Sequence, residues 1–212
     1  MLYVLLKRLI DIIVSLILGI IFLPVCLVTA IAIKIESSGP VLADTPHRVG
    51  KDGKLFKFYK FRSMIVGAHK LLKNDPRFKQ LYEEYKKSSY KLHDDPRWTR
   101  VGRFIRKHSI DEIPQLLNVL KGEMSLVGPR PYYPDELDDQ QKKYPETKDL
   151  VKEVLSVKPG ITGAWQVSGR SQINFDKRIA MDAQYAHQKS VLKDVIILAK
   201  SPWAMISGKG AL

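Results

Sequence analysis

A long apolar stretch dominates the N-terminal part of the chain. Residues 12–33 carry no charge and are mostly Ile, Leu and Val, and charged residues flank both ends. As a straight helix the stretch spans about 33 Å at ~1.5 Å per residue, which matches a hydrocarbon core of roughly 30 Å. A cleaved signal peptide and a buried core helix are the alternatives. Because the run exceeds the ~7–15 residues of a signal core and is apolar on every face, we predict a membrane-associated segment.

Pro24 interrupts this stretch near its middle. Proline removes a backbone donor and clashes with the preceding helical turn. The halves on either side of it, residues 12–23 and 25–33, are each shorter than the ~20 residues that a crossing helix needs. A re-entrant hairpin, which enters and leaves the bilayer on one side, therefore competes with a Pro-kinked spanning helix, and the residues alone leave the two open.

The remaining residues predict one α/β body without internal repeats. Turns are expected at residues 37–40 and 51–54, and the aromatic-rich run 55–62 predicts a strand. The helices are predicted at residues 77–91 and 114–120 and within 176–200. The Pro- and Gly-rich stretches 127–134 and 158–163 are interpreted as ordered loops.

The net charge limits the classes of partner, and the cysteine content limits the cellular compartment. The 35 Lys and Arg against 22 Asp and Glu give a net charge of +13, which suits partners that carry phosphate, such as nucleic acid, anionic lipid or nucleotide-activated substrates. Cys26 is the single cysteine, so an intrachain disulfide and a Cys-based zinc site are excluded. A cytoplasmic body is the simplest interpretation.

Most standard catalytic motifs are absent, and an acidic pair in a basic setting remains. There is no P-loop, dinucleotide fingerprint or GxSxG elbow, and the five histidines show no metal-ligand spacing. Asp111 and Glu112 follow Ser109 in a capping-box pattern, or else Pro114 is the first helical residue. Both arrangements place the carboxylates near a positive helix N-terminus, where an ionised aspartate could act as a nucleophile and phosphate would be attracted. Plain helix capping with surface ion pairs is the alternative.

Longer motifs carry a resemblance to a known family. Residues 95–131, DPRWTRVGRFIRKHSIDEIPQLLNVLKGEMSLVGPRP, closely resemble the signature of the bacterial sugar transferases, the monotopic phosphoglycosyl transferases. The apolar segment with its central proline, KFRSM at 60–64 and KPGITGAWQVSGR at 158–170 agree in order. Because the extra N-terminal membrane helices of the large members have no counterpart here, we expect the small, minimal type of the family. Leu23 stands where small members often carry Ser, and segment 43–48 lacks the usual Phe and Gln, so contacts of that loop are not carried over.

The resemblance implies a defined reaction and a set of site residues. A nucleotide diphosphate sugar, commonly a UDP-sugar, gives its sugar 1-phosphate to membrane polyprenyl (undecaprenyl) phosphate, and the nucleoside monophosphate is released. Asp111 is then the nucleophile that forms a covalent phosphosugar intermediate, and Mg²⁺ at Asp111 and Glu112 is the cofactor. Glu112 is either a second carboxylate near the metal or a proton acceptor. Lys60, Arg106 and Arg130 hold substrate phosphate.

The resemblance also resolves the topology in favour of the hairpin. It implies a monotopic membrane protein with a re-entrant helix-break-helix at residues 1–36, broken at Pro24, and a helix-rich α/β catalytic domain at residues 37–212. That domain is expected on the cytoplasmic face of the bacterial inner membrane, with membrane lipid but no nucleic acid as a partner, and a homo-oligomer is left open.

Two other classes of protein compete with this interpretation. A lipid glycosyltransferase that releases the nucleoside diphosphate is the nearer one. A membrane-tethered nucleic-acid-binding protein would explain the basic charge but not the acidic pair.

Overall fold

Helices make up most of the fold. The computed structural model describes residues 2–88, 90, 92, 94–168 and 173–207. The α-helices are α1 Leu2–Ile21, α2 Leu23–Glu36, α3 Ala68–Asn74, α4 Lys79–Lys87, α5 Arg100–Lys107, α6 Leu116–Lys121, α7 Pro134–Lys143, α8 Lys148–Leu155, α9 Ala164–Ser168, α10 Phe175–His187 and α11 Val191–Ser207. The 3₁₀ helices are Lys51–Gly53, Pro76–Phe78, Ile110–Gln115 and Pro145–Thr147. With the short strands described next, this confirms the helix-rich α/β prediction.

The described residues include two small two-stranded sheets, one local and one between distant segments. Strands β1 Arg48–Val49 and β2 Leu55–Phe56 pair antiparallel, and β3 Ser125–Val127 and β4 Gly160–Thr162 pair parallel. A parallel pair needs a long crossover, which here contains α7 and α8. At its start Gly128 packs against the backbone of Gly160 so closely that a Cβ on either would overlap the other chain segment. The residues that follow Gly128 are thereby fixed beside β4.

Several sequence-based boundaries need correction. The predicted strand 55–62 pairs as a strand only at β2, although an isolated bridge joins Phe61 to Leu42. The predicted loop 158–163 contains β4, because its backbone pairs with a segment over thirty residues away that local turn signals do not reveal. The predicted helix 77–91 is a 3₁₀ turn followed by α4, and residue 91 lies outside the described residues. The helix expected at 114–120 begins two residues later as α6, and 176–200 divides into α10 and α11.

The apolar segment is broken where the proline predicts it. Helices α1 and α2 meet at Phe22 with a bend of 59°, and Pro24 is the second residue of α2, a position where its missing N–H costs no helical bond. Among the described residues, no single helix is long and apolar enough to cross a bilayer. The bent pair reaches that length and composition when its two helices are taken together.

The helix pair exposes most of its apolar side chains and buries several of its polar ones. In α1 the buried residues are Asp11 and Ser15, and in α2 they are Thr29 and Ile33. Its exposed large apolar side chains are Leu2, Val4, Leu5, Leu6, Leu9, Ile13, Leu16, Ile17, Ile20, Ile21, Leu23, Val25, Leu27, Val28, Ile31 and Ile35. This is the reverse of the pattern of a surface helix in water, and so many exposed apolar side chains indicate an interaction surface.

Charged residues attach both ends of the helix pair to the rest of the chain. In α1, Lys7 contacts Asp194 at 2.7 Å, Arg8 donates to the carbonyls of Val119 and Leu120 at 2.6 and 2.8 Å, and Asp11 accepts from the Leu126 N–H at 3.0 Å. At the other end, Glu36 accepts from the Arg100 N–H at 2.6 Å and so caps the N-terminus of α5. The Arg8 contacts complement the negative C-terminal end of α6. Both ends of the apolar pair therefore lie against one body.

Two buried clusters support the segments that carry the site. The first packs α6, β3 and the aromatic run together through Phe56, Phe58, Leu116, Val119, Met124, Leu126, Val127, Tyr185 and Ile197. The second packs α10 onto α7 and α8 through Val49, Tyr132, Leu137, Val151, Val154, Phe175, Ile179 and Ala183. The segment that joins Val127 to Tyr132 runs from one cluster to the other.

Candidate active site

One cavity brings the predicted site residues together. It has a volume of about 270 Å³, and its lining includes Lys60, Arg106, Asp111, Glu112 and Arg130. These residues come from three separate parts of the chain. The structure therefore places all five beside one space of the kind that binds small molecules.

Asp111 and Lys60 form an ion pair inside this cavity. The Lys60 Nζ lies 2.7 Å from the Asp111 Oδ2, and the two side chains are only 15% and 5% exposed. The backbone sets this distance, because the Phe61 N–H donates to the carbonyl oxygen of Asp111 at 2.9 Å. A charged partner offsets part of the cost of burying a carboxylate. Lys60 was predicted to hold substrate phosphate, and in this structure it holds the predicted nucleophile.

The acidic pair lies at the start of a 3₁₀ helix rather than an α-helix. Both helix starts that the sequence suggested, Ser109 as the N-cap of a capping box and Pro114 as the first helical residue, were wrong in detail. Ser109 has a left-handed backbone (φ 55°) and makes no side-chain cap, because α5 ends just before it and an N-cap needs an extended backbone. Pro114 lies inside the 3₁₀ helix Ile110–Gln115. Asp111 and Glu112 are still in the first turn of that helix, so the predicted position near a helix start is retained.

The two predicted arginines stack near aromatic rings at the cavity wall. The guanidinium carbon of Arg106 lies 5.3 Å from the Trp98 ring centroid, and that of Arg130 lies 5.5 Å from the Trp165 ring centroid. Within the described part of the chain, the Nε of neither arginine has a hydrogen-bond partner. A buried donor without a partner costs about 1–3 kcal/mol, and a phosphate oxygen in the cavity would satisfy it.

Nearby negative groups keep Arg130 charged. Burial has the largest effect and acts to lower the pKa of Arg130, but Glu136, Tyr132, Tyr133 and Glu112 together outweigh it, so the pKa lies above its ordinary value. Arg130 and Glu112 are therefore close enough to interact electrostatically. The basic wall and the acidic pair form one charged site.

The sequence did not indicate several other residues that line the cavity. Arg48, Arg97, Gln115 and Trp165 are all buried and border the same space. The segment 43–48, whose contacts were not carried over from the family, also lines it. Three of them, Arg97, Gln115 and Trp165, lie within the quoted motifs, but their place beside the cavity follows from packing between distant segments.

His69 is the histidine that reaches the cavity among those that the structure describes. It stacks on Tyr133 with ring centroids 5.9 Å apart. Burial lowers the pKa of His69 to about 4, and the positive charge of Lys73 adds to this. It is therefore a neutral packing group at pH 7, which agrees with the prediction that the histidines are ordinary residues. His93 lies outside the described residues.

The site has few carboxylates that could hold a metal ion. Among the described residues, no three His, Cys, Asp or Glu side chains lie close enough together to hold a metal ion. Asp111 and Glu112 provide two carboxylates beside the cavity. Mg²⁺ is commonly held by one or two carboxylates, substrate phosphates and water, so this donor set fits Mg²⁺ that arrives with a diphosphate substrate.

Comparisons with known proteins agree with the signature. The model of the family described as "Bacterial sugar transferase" matches residues 2–208. The chain is 43% identical to the undecaprenyl-phosphate galactose phosphotransferase of Salmonella typhimurium over 97% of its own length and 41% of that protein. It is 37% identical to the undecaprenyl-phosphate glucose phosphotransferase of Komagataeibacter xylinus, over 91% of the chain and 34% of that protein.

A shorter relative is covered almost completely. The exopolysaccharide production protein ExoY of Sinorhizobium fredii is 37% identical over 97% of this chain and 87% of its own length. The chain spans about two fifths of the length of the Salmonella protein. From the family model and these alignments, the chain belongs to the bacterial sugar transferase family.

Proposed function

We propose that this protein transfers a sugar 1-phosphate from a nucleotide diphosphate sugar, in the first instance a UDP-sugar, to undecaprenyl phosphate, and releases the nucleoside monophosphate. The observation that carries the proposal is the buried Asp111 carboxylate, paired with Lys60 and facing a cavity lined by Arg106 and Arg130. The names of the relatives support the acceptor and suggest galactose or glucose as the sugar. Such a reaction would begin exopolysaccharide or glycoconjugate assembly.

The proposed chemistry has two displacements at one phosphorus. First, an oxygen of the Asp111 carboxylate attacks the β-phosphorus of the donor, and the bond from that phosphorus to the oxygen that bridges to the α-phosphate breaks. The nucleoside monophosphate leaves with the electron pair. An oxygen of undecaprenyl phosphate then attacks the same phosphorus, and the Asp111–phosphorus bond breaks to restore the carboxylate. Covalent catalysis of this kind replaces one difficult step by two easier ones.

The cations of the site have separate parts in this scheme. Lys60 orients the Asp111 carboxylate before attack and then lies beside the phosphoryl group that Asp111 carries. Arg106 and Arg130 bind phosphate oxygens, for which a planar guanidinium is better suited than an ammonium. Glu112 either contributes to the metal site or accepts a proton. Bound Mg²⁺ would supply charge neutralisation on the diphosphate, and Asp111 and Glu112 are the residues that would hold it.

The nucleotide that the reaction releases distinguishes a sugar-phosphate transferase from a glycosyltransferase. With UDP-galactose or UDP-glucose and undecaprenyl phosphate, we expect the purified protein to release UMP, to stop when EDTA removes divalent cations, and to recover when Mg²⁺ is added in excess. Chromatography of the nucleotide products measures this. Release of UDP instead would identify a glycosyltransferase that transfers the sugar alone and would overturn the proposal.

The membrane arrangement is part of the same proposal. Residues 1–36 would form a re-entrant hairpin that turns near Pro24, and residues 37–212 would form the catalytic domain on the cytoplasmic face of the bacterial inner membrane. The exposed apolar side chains of α1 and α2 support insertion. The attachment of Lys7, Arg8 and Asp11 at one end and Glu36 at the other to one body supports a return to the same side.

Cysteine labelling distinguishes a hairpin from a spanning helix. In a Cys26→Ser background, Leu2→Cys and Ser38→Cys place one exposed thiol on each side of the helix pair without removing the Glu36 cap. In intact cells we expect an impermeant thiol reagent to label neither thiol, because both then face the cytoplasm.

Permeabilised cells provide the control, since both thiols should label there. Adding Pro24→Ala should straighten the pair and increase labelling of the thiol at position 2. Labelling of that thiol from outside, in a chain that keeps Pro24, would contradict the hairpin.

A further inference from the structure

The segment that carries Arg130 is stiff and has few hydrogen-bond donors. Pro129 and Pro131 flank Arg130, so both neighbours have a fixed φ and lack an N–H. The residue before a proline is itself restricted to extended conformations. The Arg130 N–H is therefore the one backbone donor of the Pro-Arg-Pro sequence, and its acceptor has a strong influence on where the arginine lies.

That acceptor is a buried aspartate on α10. The Arg130 N–H donates to the Asp182 Oδ2 at 3.1 Å, and the Tyr132 hydroxyl lies 3.4 Å from the same oxygen. Asp182 is fully buried. Its other oxygen, Oδ1, has no hydrogen-bond partner among the residues that the structure describes. Burying a carboxylate in this way is costly, which indicates a specific role.

A second charged residue on α10 lies behind the same wall. Arg178, one turn before Asp182, is fully buried and pairs with Glu136 at 3.3 Å. Its guanidinium carbon lies 5.5 Å from the Trp165 ring centroid, the same distance as that of Arg130. Trp165 is therefore near two guanidinium groups, one lining the cavity and one behind it. α10 thus supports this wall of the site at two points.

We infer that Asp182 is a positioning residue for Arg130: by accepting the N–H of the Pro-Arg-Pro sequence, it holds the Arg130 guanidinium where it binds substrate phosphate. The inference rests on the phosphate role proposed for Arg130. Asp182 acts through the backbone and touches no reacting atom. An error of about 1 Å in the position of a binding group can cost roughly 100-fold in rate.

Both charge states of Asp182 fulfil this role. Burial raises the pKa of Asp182 to about 7, while the Arg130 N–H and Arg178 act to lower it. When the acid is neutral, Oδ1 can carry the proton and Oδ2 still accepts. Asparagine also offers an acceptor oxygen of the same reach. The acceptor can therefore be tested separately from the charge.

The test is a mutant cycle with a conservative rescue. We expect Asp182→Ala to lower kcat/KM for UMP release from UDP-galactose by roughly 10-fold to 100-fold, and Asp182→Asn to stay within about threefold of wild type. In an Arg130→Ala background, Asp182→Ala should cost less than about threefold more, since the group it positions is gone. Affinity for UDP, measured by calorimetry, should follow the same pattern where turnover is too slow to measure.

A second variant on α10 serves as the control for a general loss of stability. Ile179→Ala removes a fully buried side chain from the cluster that also contains Tyr132, so it weakens the packing of α10 but leaves the acceptor in place. Its melting temperature should fall without the loss of kcat/KM seen in Asp182→Ala. If Asp182→Ala does not fold, Asp182→Leu, which fills more of the volume and lacks an acceptor, takes its place.

Hydrogen exchange reports on the contact without any substrate. Exchange in the 128–133 peptide should be faster in Asp182→Ala and unchanged in Asp182→Asn. Equal activity losses from Asp182→Ala with and without Arg130, or a loss in Asp182→Asn as large as in Arg130→Ala, would overturn the inference. Failure of the wild type to release UMP would overturn the proposed function instead, and the exchange experiment would still decide whether Asp182 holds Arg130.

Discussion

Replacing Asp111 with asparagine should abolish UMP release while the protein remains folded. Asparagine has nearly the same shape, so the 3₁₀ helix around it should change little, although Lys60 loses its ionised partner. A neutral amide cannot form the carboxyl–phosphorus bond, and loss of a covalent nucleophile lowers turnover by roughly 10⁴-fold or more. Initial rates of UMP release, with the thermal unfolding of both proteins, measure this. Asp149→Asn makes the same chemical change at an exposed carboxylate on α8 and should leave the rate unchanged.

The covalent intermediate gives this prediction a second readout. Wild-type protein incubated with the sugar donor and Mg²⁺, but without undecaprenyl phosphate, should gain the mass of a sugar phosphate on the peptide that contains Asp111. The Asp111→Asn protein should gain none. Glu112→Gln should also be impaired, and whether it still accumulates the adduct separates a role in the first step from one in the second. Turnover by Asp111→Asn at the wild-type rate would exclude Asp111 as the nucleophile.

The site residues were predicted from motifs that resemble a known family, and not from local patterns of hydrophobicity, charge or helix capping. Asp111 and Lys60 are fifty-one positions apart, and their contact depends on the Phe61–Asp111 backbone hydrogen bond. Such a bond between distant segments leaves no trace in periodicity or capping patterns. The capping box at Ser109 illustrates the same limit, because the residues that fit an N-cap instead form a left-handed link after α5.

The apolar segment was the most predictable part of the fold. A charge-free run and a central proline are local properties, and both the helices and the break follow from them. The partners of Lys7, Arg8 and Asp11 were not predictable, since they lie more than one hundred residues away. The sequence could show that these charges flank an apolar segment, and only the fold shows that they bind the body.

The buried charges of α10 were missed for a different reason. Arg178 and Asp182 occur in a helix that also carries Asp176 and Lys177, and charges at such spacing usually lie on a solvated face. Here the helix packs against α8 and the second cluster, so the two charges are buried and reach the back of the site. Burial of charge is decided by tertiary packing, which a helical pattern does not encode.

Lys60→Met should affect activity and stability together. The change keeps a long apolar side chain but removes the ammonium group 2.7 Å from the Asp111 Oδ2. The buried carboxylate then lacks its partner and is no longer oriented for attack. We expect turnover to fall by roughly 100-fold or more and the free energy of unfolding to fall by about 3 kcal/mol, the lower end for breaking a buried pair, because the cavity admits water.

The double variant distinguishes loss of the Lys60–Asp111 ion pair from a general loss of stability. If the loss of stability comes from an unpaired carboxylate, Lys60→Met combined with Asp111→Asn should recover most of it, since no buried charge then remains. Lys60→Arg should retain the stability, because it keeps a positive group beside Asp111, and should lose part of the activity through its different reach. Denaturant titrations of the four proteins that make up the cycle measure the coupling. Additive losses would mean that Lys60 does not stabilise Asp111, and its role would then be limited to contact with the substrate phosphate.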